Sequence, residues 1–168
     1  MHSQPRAPHQ PDARSTSRFS VNRKFAAIVL ALVTVLGMAT TSPALADTGS
    51  RIAHYALSQV GKPYVANTQG PRAFDCSGLT QWAIRKATGR TYIHSSRAQF
   101  RSMLRIPKSK LRPGDLVFFF RKKAHHVAIY IGSGRIVHAA NPRRGVVVDR
   151  LSGRWFQQHL SGYARVLR

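Results

Sequence analysis

The chain has 168 residues and a formal net charge of +22 at pH 7, with 27 Lys and Arg against five Asp and no Glu. Its single cysteine excludes an intramolecular disulfide and a cysteine-rich metal site. Such a charge either keeps the surface soluble or attracts polyanions, which are nucleic acids, anionic membranes and anionic cell-wall polymers. No signature of a nucleic-acid-binding module is visible, so no specific nucleic acid is predicted as a partner.

Residues 1–46 have the three parts of a secretory signal peptide. A polar leader ends in Arg23-Lys24, an apolar run of 14 residues follows at 25–38, and Ala44-Leu45-Ala46 supplies a small-residue cleavage site. The apolar run is shorter than the ~20 residues that span a membrane, and an uncleaved anchor is the alternative. We predict export, cleavage after Ala46 and a single mature domain of residues 47–168. Removal of residues 1–46 leaves 22 Lys and Arg against four Asp, a net charge of +18.

The hydrophobic pattern of the mature chain places helices before strands. We predict helices over residues 50–60, from Cys76 to about Ala87 with Gly89 as the stop, and over 97–104. Short β-branched or aromatic runs then predict strands at 116–120, 127–131, 136–139, 146–149 and 163–167, with a short helix at 155–159. This order is typical of an α+β domain, with helices packed on a mostly antiparallel sheet of about five strands.

Cys76 stands at the start of a predicted helix, directly after Asp75, a residue type that caps helices. A lone cysteine is either a buried apolar filler or a reactive thiol. The positive end of the helix dipole favours the thiolate, which is the nucleophilic form.

Two of the eight histidines lie on neighbouring predicted strands. Strand alternation puts His126 on one face with Ala128 and Tyr130, and the small Ala128 would let a helix approach that face. His138 lies on the next strand, so the two histidines touch if the hairpin register allows. His125 would point to the opposite face or into solvent.

These residues suit nucleophilic catalysis on an amide. Cys76 would attack the carbonyl carbon, His126 would pair with the thiolate and protonate the leaving amine, and His138 would orient His126. A Cys76–His126 ion pair would give a bell-shaped pH–rate profile. A metal site formed by His125, His126 and His138 lacks a familiar ligand spacing, so no metal is predicted. The remaining predicted-domain histidines, His54, His94 and His159, are interpreted as surface or core residues.

Five sequence blocks occur in a recognisable order. They are Gly61-Lys62-Pro63-Tyr64, Phe74-Asp75-Cys76-Ser77-Gly78-Leu79, the segment 111–119 (Leu-Arg-Pro-Gly-Asp-Leu-Val-Phe-Phe), the segment 126–132 (His-Val-Ala-Ile-Tyr-Ile-Gly) and Val137-His138-Ala139. Together they resemble the NlpC family of bacterial cell-wall cysteine peptidases, over roughly residues 50–167. The resemblance implies a reduced papain-like fold without a cofactor.

The resemblance also assigns roles to residues. It implies Cys76 as nucleophile, His126 as base and His138 as the orienting third member. By the same resemblance, Tyr64, Asp75 and Ser77 line the pocket and contact the substrate or the oxyanion. The structural alternatives are a loop anchor for Tyr64, a plain helix cap for Asp75 and an exposed first-turn residue for Ser77. Gly78 is interpreted as structural, allowing close packing of its helix.

The implied substrates are the stem peptides of peptidoglycan, usually cut between D-glutamate and a diamino acid. Two segments depart from the family pattern and leave the peptide preference open. Residues 65–68 stand where many relatives have Trp-Gly-Gly, and residues 92–96 replace Leu-Pro-Arg-Thr-Ser.

Three functional hypotheses therefore follow from the sequence. The first is a secreted, monomeric peptidoglycan endopeptidase that the +18 charge holds on anionic wall polymers. The second is an amidase or acyltransferase that uses the same triad. The third is a basic wall- or membrane-binding protein without catalysis, although no basic amphipathic helix supports it.

Overall fold

Four α-helices and six β-strands are present in residues 43–166, the part of the chain that the computed structural model describes; side chains are described from Thr48 onward, except that of Lys122. The helices are α1 (Pro43–Leu57), α2 (Cys76–Thr88), α3 (Ser96–Ser102) and α4 (Arg154–His159). The strands are β1 (Leu104–Ile106), β2 (Leu116–Phe119), β3 (His126–Gly132), β4 (Arg135–Ala139), β5 (Val146–Arg150) and β6 (Leu160–Arg165).

The six strands form one sheet in the order β1-β6-β2-β3-β4-β5, and every neighbouring pair is antiparallel. The predicted α+β class with helices on an antiparallel sheet is therefore confirmed. The sheet has one strand more than the five expected. Strand β1 was missed because the predicted helix over 97–104 ends at Ser102, and a three-residue strand is too short to show alternation.

Helices cover both faces of the sheet. On one face, Phe118, Val127, Ile129, Val137 and Ala139 belong to the same buried cluster as Leu79 and Trp82 of α2 and Ile52 of α1. On the other face, Val117, Phe119, Ala128 and Ile136 form a second cluster, against which Phe156 of α4 packs. The alternation predicted for β3 is therefore present, with both of its faces buried.

The site depends on where helix α2 begins. The Asp75 side chain accepts a hydrogen bond from the Gly78 backbone N–H at 2.7 Å, which makes Asp75 the N-cap and Cys76 the first helical residue. At the other end, Gly89 takes a left-handed conformation (φ +75°) and its N–H returns to the Arg85 carbonyl. These two signals explain why the sequence predicts this helix almost to the residue.

Gly78 lets α2 approach the preceding loop closely, as predicted. A Cβ at this position would lie 2.0 Å from the Thr68 carbonyl oxygen and 2.9 Å from the Gln69 Cα. The same loop is bonded to the helix start, since the Asp75 N–H donates to the Thr68 carbonyl at 2.9 Å. Any side chain at position 78 must therefore displace backbone next to Cys76.

Gly78→Ala is expected to lower the free energy of unfolding by about 2 kcal/mol, since the added methyl meets backbone atoms that cannot move aside singly. Urea denaturation of both proteins measures this difference. Arg85→Ala, an exposed change on the same helix, should stay within about 0.5 kcal/mol of wild type. Equal stability of Gly78→Ala and wild type would contradict the close approach.

The N-terminal segment was predicted to be a cleaved signal peptide, with an uncleaved membrane anchor as the alternative. The predicted signal peptide, residues 1–46, lies outside the described residues except for the backbone of its last four positions, so it stays a prediction. Within residues 43–166, no helix combines the length and the apolar character needed to cross a membrane.

Candidate active site

The sulfur of Cys76 lies at the beginning of strand β3. Its Sγ is 3.8 Å from the His125 carbonyl oxygen, and the Val127 N–H hydrogen-bonds to it. These two groups flank His126 in the chain. The thiol is therefore brought to the residue that the sequence proposes as its base.

Helix α2 reaches His126 by a route that the sequence did not predict. We expected the helix to pack on the face of β3 that carries His126 and Ala128. Instead, α2 packs on the Val127 and Ile129 face, and His126 lies on the α4 face, with its ring centroid 5.9 Å from that of Phe119. Cys76 meets the strand at its N-terminal end because it is the first residue of the helix.

His126 and His138 are in contact, as the hairpin register was expected to allow. Strands β3 and β4 pair Ile129 with Val137 and Tyr130 with Ile136. His126 Nε2 lies 2.7 Å from His138 Nδ1, and both side chains are buried. The two predicted histidines therefore form one hydrogen-bonded unit.

Asp149 continues this unit and was missed by the sequence analysis. His138 Nε2 lies 3.0 Å from Asp149 Oδ2. Arg144 holds both oxygens of the same carboxylate, with its Nη1 2.8 Å from Oδ2 and its Nη2 2.8 Å from Oδ1. The signal available in the sequence was the scarcity of acids, since only four Asp follow residue 46 and this one falls on a strand beside that of His138.

The hydrogen-bond order fixes the tautomers of both imidazoles. The Arg144 guanidinium, through its hydrogen bonds, lowers the pKa of Asp149, so this carboxylate is an acceptor. His138 then donates from Nε2 and, being neutral, accepts at Nδ1 from the Nε2–H of His126. His126 is left with a lone pair on Nδ1, which is the form that a general base requires.

Burial keeps the thiol and its base uncharged. It raises the pKa of Cys76 to about 11, and the charge of Asp75 adds to the rise, although the N–H groups of Val127, Ser77 and Cys76 oppose it. Burial, together with His138, lowers the pKa of His126 to about 3. The expectation that the helix start would favour a resting thiolate is therefore wrong, because desolvation outweighs the helix N–H groups.

Two of the three residues predicted to bind substrate, Asp75 and Ser77, flank Cys76 in the chain, and the backbone of the third, Tyr64, pairs with that of Phe74. Ser77 is buried and donates from its hydroxyl to Asp75 Oδ1 at 3.1 Å, so it is not an exposed first-turn residue. Asp75 fulfils the cap role and has further contacts. Burial raises the pKa of Tyr64, and the charges of Cys76 and Asp75 raise it further, which places the phenol near both residues.

His94 was interpreted as a surface or satisfied core residue, and the structure places it partly buried. The sequence did not predict its partner: its Nε2 lies 2.9 Å from Asp75 Oδ1 and 2.8 Å from Oδ2. No periodicity links these positions, which are 19 residues apart. Its place in the segment that departs from the family pattern was the one available signal.

A cavity of about 400 Å³ opens beside the two buried histidines. Phe120, Trp155 and Phe156 form an aromatic wall of this cavity. Its polar lining consists of His126, His138, Asn141, Arg144 and Asp149. Within residues 43–166, no three His, Cys, Asp or Glu side chains are arranged to hold a metal ion. The arrangement instead suits nucleophilic chemistry by the thiol.

A family model described as the NlpC/P60 family matches residues 61–165, which is more than half of the chain. This chain belongs to the NlpC/P60 family. The match contains Cys76, His126, His138 and Asp149, together with all five sequence blocks in full.

Relatives of this NlpC/P60 chain carry endopeptidase names. It is 38% identical over 112 residues to a probable endopeptidase p60 of Listeria grayi, covering 66% of this chain and 21% of that protein. It is 42% identical over 103 residues to a probable endopeptidase of Corynebacterium glutamicum, covering 61% of this chain and 48% of that one. The chain thus spans half or less of the length of these relatives.

A solved NlpC/P60 structure has the same fold. The crystal structure of a family protein from Bacillus cereus superposes with a TM-score of 0.67 at 31% identity, covering 71% of this chain and 40% of that one. The family and its fold are thereby established for this chain.

Proposed function

We propose that this protein is a cysteine endopeptidase that hydrolyses amide bonds in the stem peptides of peptidoglycan. One observation carries the proposal: the Cys76 sulfur lies 3.8 Å from the backbone carbonyl of His125, next in the chain to His126, and the His126–His138–Asp149 relay leaves His126 Nδ1 free to accept a proton. The family resemblance adds the substrate class and the bond, between D-glutamate and a diamino acid. The endopeptidase names of the relatives support the same reaction.

The neutral pair suggests the sequence of steps. Cys76 transfers its proton to His126 Nδ1 as the sulfur attacks the amide carbon, and a tetrahedral oxyanion forms. The N–H groups of Cys76 and Ser77, which face the sulfur at the helix start, are placed to stabilise that oxyanion. His126 then returns the proton to the leaving amine, and the C–N bond breaks to give a thioester.

Water completes the reaction. His126, neutral again, takes a proton from a water molecule that attacks the thioester carbon. The new acid leaves from the sulfur, which regains a proton from His126. Tyr64, Asp75 and Ser77 are proposed to line the substrate site around Cys76, as the family resemblance implies.

Two other activities are compatible with parts of the structure. An amidase or acyltransferase would use the same thioester with a different bond or a different acceptor. A wall- or membrane-binding protein without catalysis would leave Cys76 incidental. The buried relay favours catalysis, because hydrogen-bonded titratable groups with pKa values shifted by burial, close to a lone cysteine, are typical of catalytic sites.

Location and partners are part of the proposal. The predicted signal peptide supports secretion to the cell wall, and we propose that the mature protein acts there as a monomer. Its net charge of +18 would hold it on anionic wall polymers, so wall binding should weaken as salt rises.

The test uses residues 47–168 as wild type and Cys76→Ala, incubated with purified peptidoglycan fragments of two diamino-acid types. Mass spectrometry of the soluble products should show cleavage by the wild type and complete loss in Cys76→Ala. Hydrolysis adds one water molecule across the cleaved bond, with OH on the acyl fragment and H on the amine fragment, whereas transfer joins the acyl fragment to another amine. Equal cleavage by both proteins would exclude Cys76 as nucleophile. Wall binding without cleavage by either would favour the binding role.

A further inference from the structure

His94 is held against Asp75 by a built framework. Its Nε2 is within 2.9 Å of both carboxylate oxygens, and both side chains are mostly buried, with 19% of His94 and 10% of Asp75 exposed. Among the described residues, the contact from His94 is the one protein hydrogen bond to Oδ2. Oδ1 has two others, from the Gly78 N–H and the Ser77 hydroxyl.

The segment that carries His94 is tied to the same helix as the nucleophile. The side chain of Gln81 in α2 donates to the Tyr92 carbonyl. Gln99 of α3, which is fully buried, donates to the Ile93 carbonyl at 2.9 Å and to the Ser77 carbonyl at 3.2 Å. His94 is therefore fixed relative to the first turn of α2, where Cys76 lies.

Asp75 connects His94 to the thiol. It immediately precedes Cys76, caps the helix that presents the sulfur, and its negative charge disfavours the thiolate. The titratable side chains near Cys76 and Asp75 are Tyr64 from the loop before α2, whose pKa both residues raise, and His94, which contacts the Asp75 carboxylate; His126 follows His125, whose carbonyl lies 3.8 Å from the sulfur. Further out, Arg97 of α3 lies 3.5 Å from the exposed ring of His125. Among these, His94 has both carboxylate oxygens within reach.

We propose that His94 is a positioning residue for the chemistry of Cys76: it holds the Asp75 carboxylate in its capping geometry and, when protonated, offsets the charge that this carboxylate places beside the thiol. Its effect on hydrolysis rests on the proposed function, whereas its effect on the thiol does not. Loss of the cation leaves Asp75 uncompensated and makes the thiolate harder to form.

The single cysteine makes this directly measurable. Iodoacetamide, an uncharged reagent, alkylates Cys76 alone: the sulfur bonds to the CH₂ carbon, iodide leaves, and the thiol proton passes to a base. Intact-mass spectrometry of the full chain gives the rate from about pH 5.5 to pH 8.5. Four proteins are compared: wild type, His94→Gln, His94→Arg, and His54→Gln as a control at an exposed histidine of α1.

At about pH 5.5, wild type is expected to react about 3- to 10-fold faster than His94→Gln, the ratio given by a thiol pKa difference of half a unit to one unit. His94→Arg, whose cation does not titrate in this range, should be alkylated faster than His94→Gln both at about pH 5.5 and at about pH 8.5. His54→Gln should match wild type throughout.

Two results would overturn the proposal. A His94→Arg protein that reacts no faster than His94→Gln would show that His94 acts only through structure, and a His94→Gln protein faster than wild type would reverse the sign of its effect. Peptidoglycan hydrolysis is then measured with the same proteins. If alkylation follows the expected pattern and no protein cleaves peptidoglycan, the proposed function fails while the role of His94 stands.

Discussion

Replacing Asp149 by asparagine is expected to lower kcat/KM for peptidoglycan fragments roughly 10²- to 10⁴-fold, although residue 149 touches neither the thiol nor the reacting bond. The carboxylate accepts from His138 Nε2 and from two nitrogens of Arg144. An asparagine has nearly the same shape but places a donor where one acceptor stood.

The orientation of the new amide decides the effect. If the amide nitrogen faces His138, it donates to Nε2 and forces the proton of His138 onto Nδ1. His126 must then carry its own proton on Nδ1, so the general base is lost. If the amide oxygen faces His138, it still accepts from Nε2 and from Arg144 Nη1, and only the contact with Arg144 Nη2 becomes donor to donor. The full loss is expected from the first orientation, and the second should lower kcat/KM no more than Arg144→Gln does.

The measurement is steady-state hydrolysis together with alkylation of Cys76, with thermal unfolding to show that the fold persists. Arg144→Gln is the matched comparison, because it removes the other half of the ion pair and leaves Asp149 able to accept a hydrogen bond from His138. This variant should lower kcat/KM several-fold at most. Substrate binding should be largely retained in both variants. A folded Asp149→Asn protein with wild-type kcat/KM would show that the relay does not set the tautomer of His126.

Local signals explain which parts of the fold were predictable. Helix α2 was placed almost to the residue because Asp75 caps it and Gly89 ends it, and both signals are read from adjacent positions. Strand β1 was not predicted, because its three residues pair with β6 almost sixty residues later and are too few to show a hydrophobic alternation. The His126–His138 contact followed from hairpin register, which is also a local property.

The site was predictable only as far as the family motifs extend. The contacts of His94 with Asp75 and of Asp149 with His138 are tertiary and have no periodicity, so the sequence analysis passed over both. The prediction of the charge state of Cys76 failed for a different reason. A helix start argues for a thiolate, but the depth of burial decides the balance, and burial is a property of the folded molecule.

Burial of the neutral relay predicts that the protein loses stability in acid. The folded state lowers the pKa of His126 from 6.5 to about 3, because burial and His138 disfavour the imidazolium. Between these values the unfolded chain binds a proton at this imidazole and the folded protein does not. The free energy of unfolding therefore falls as the pH falls, by about 1.4 kcal/mol per pH unit from His126.

At about pH 4.5 the loss relative to pH 7 is expected to reach about 3 kcal/mol from His126 alone. His138, whose pKa burial also lowers, adds to it. Urea denaturation between about pH 4.5 and pH 7 measures the slope. The pKa of Asp149 is lowered below 3.8, so protonation of this carboxylate lowers the stability mainly in stronger acid and leaves the slope between about pH 4.5 and pH 7 nearly unchanged.

His126→Gln should reduce this slope by about one proton, because glutamine does not titrate. Calorimetric unfolding of the wild type in buffers of different ionisation enthalpy gives the proton uptake independently, and this measurement needs no folded variant. An uptake between one and two protons at about pH 5 is expected from the two buried histidines. No uptake would mean that His126 is charged in the folded protein, and Cys76 would then rest as the thiolate partner of an imidazolium rather than as a thiol awaiting a base.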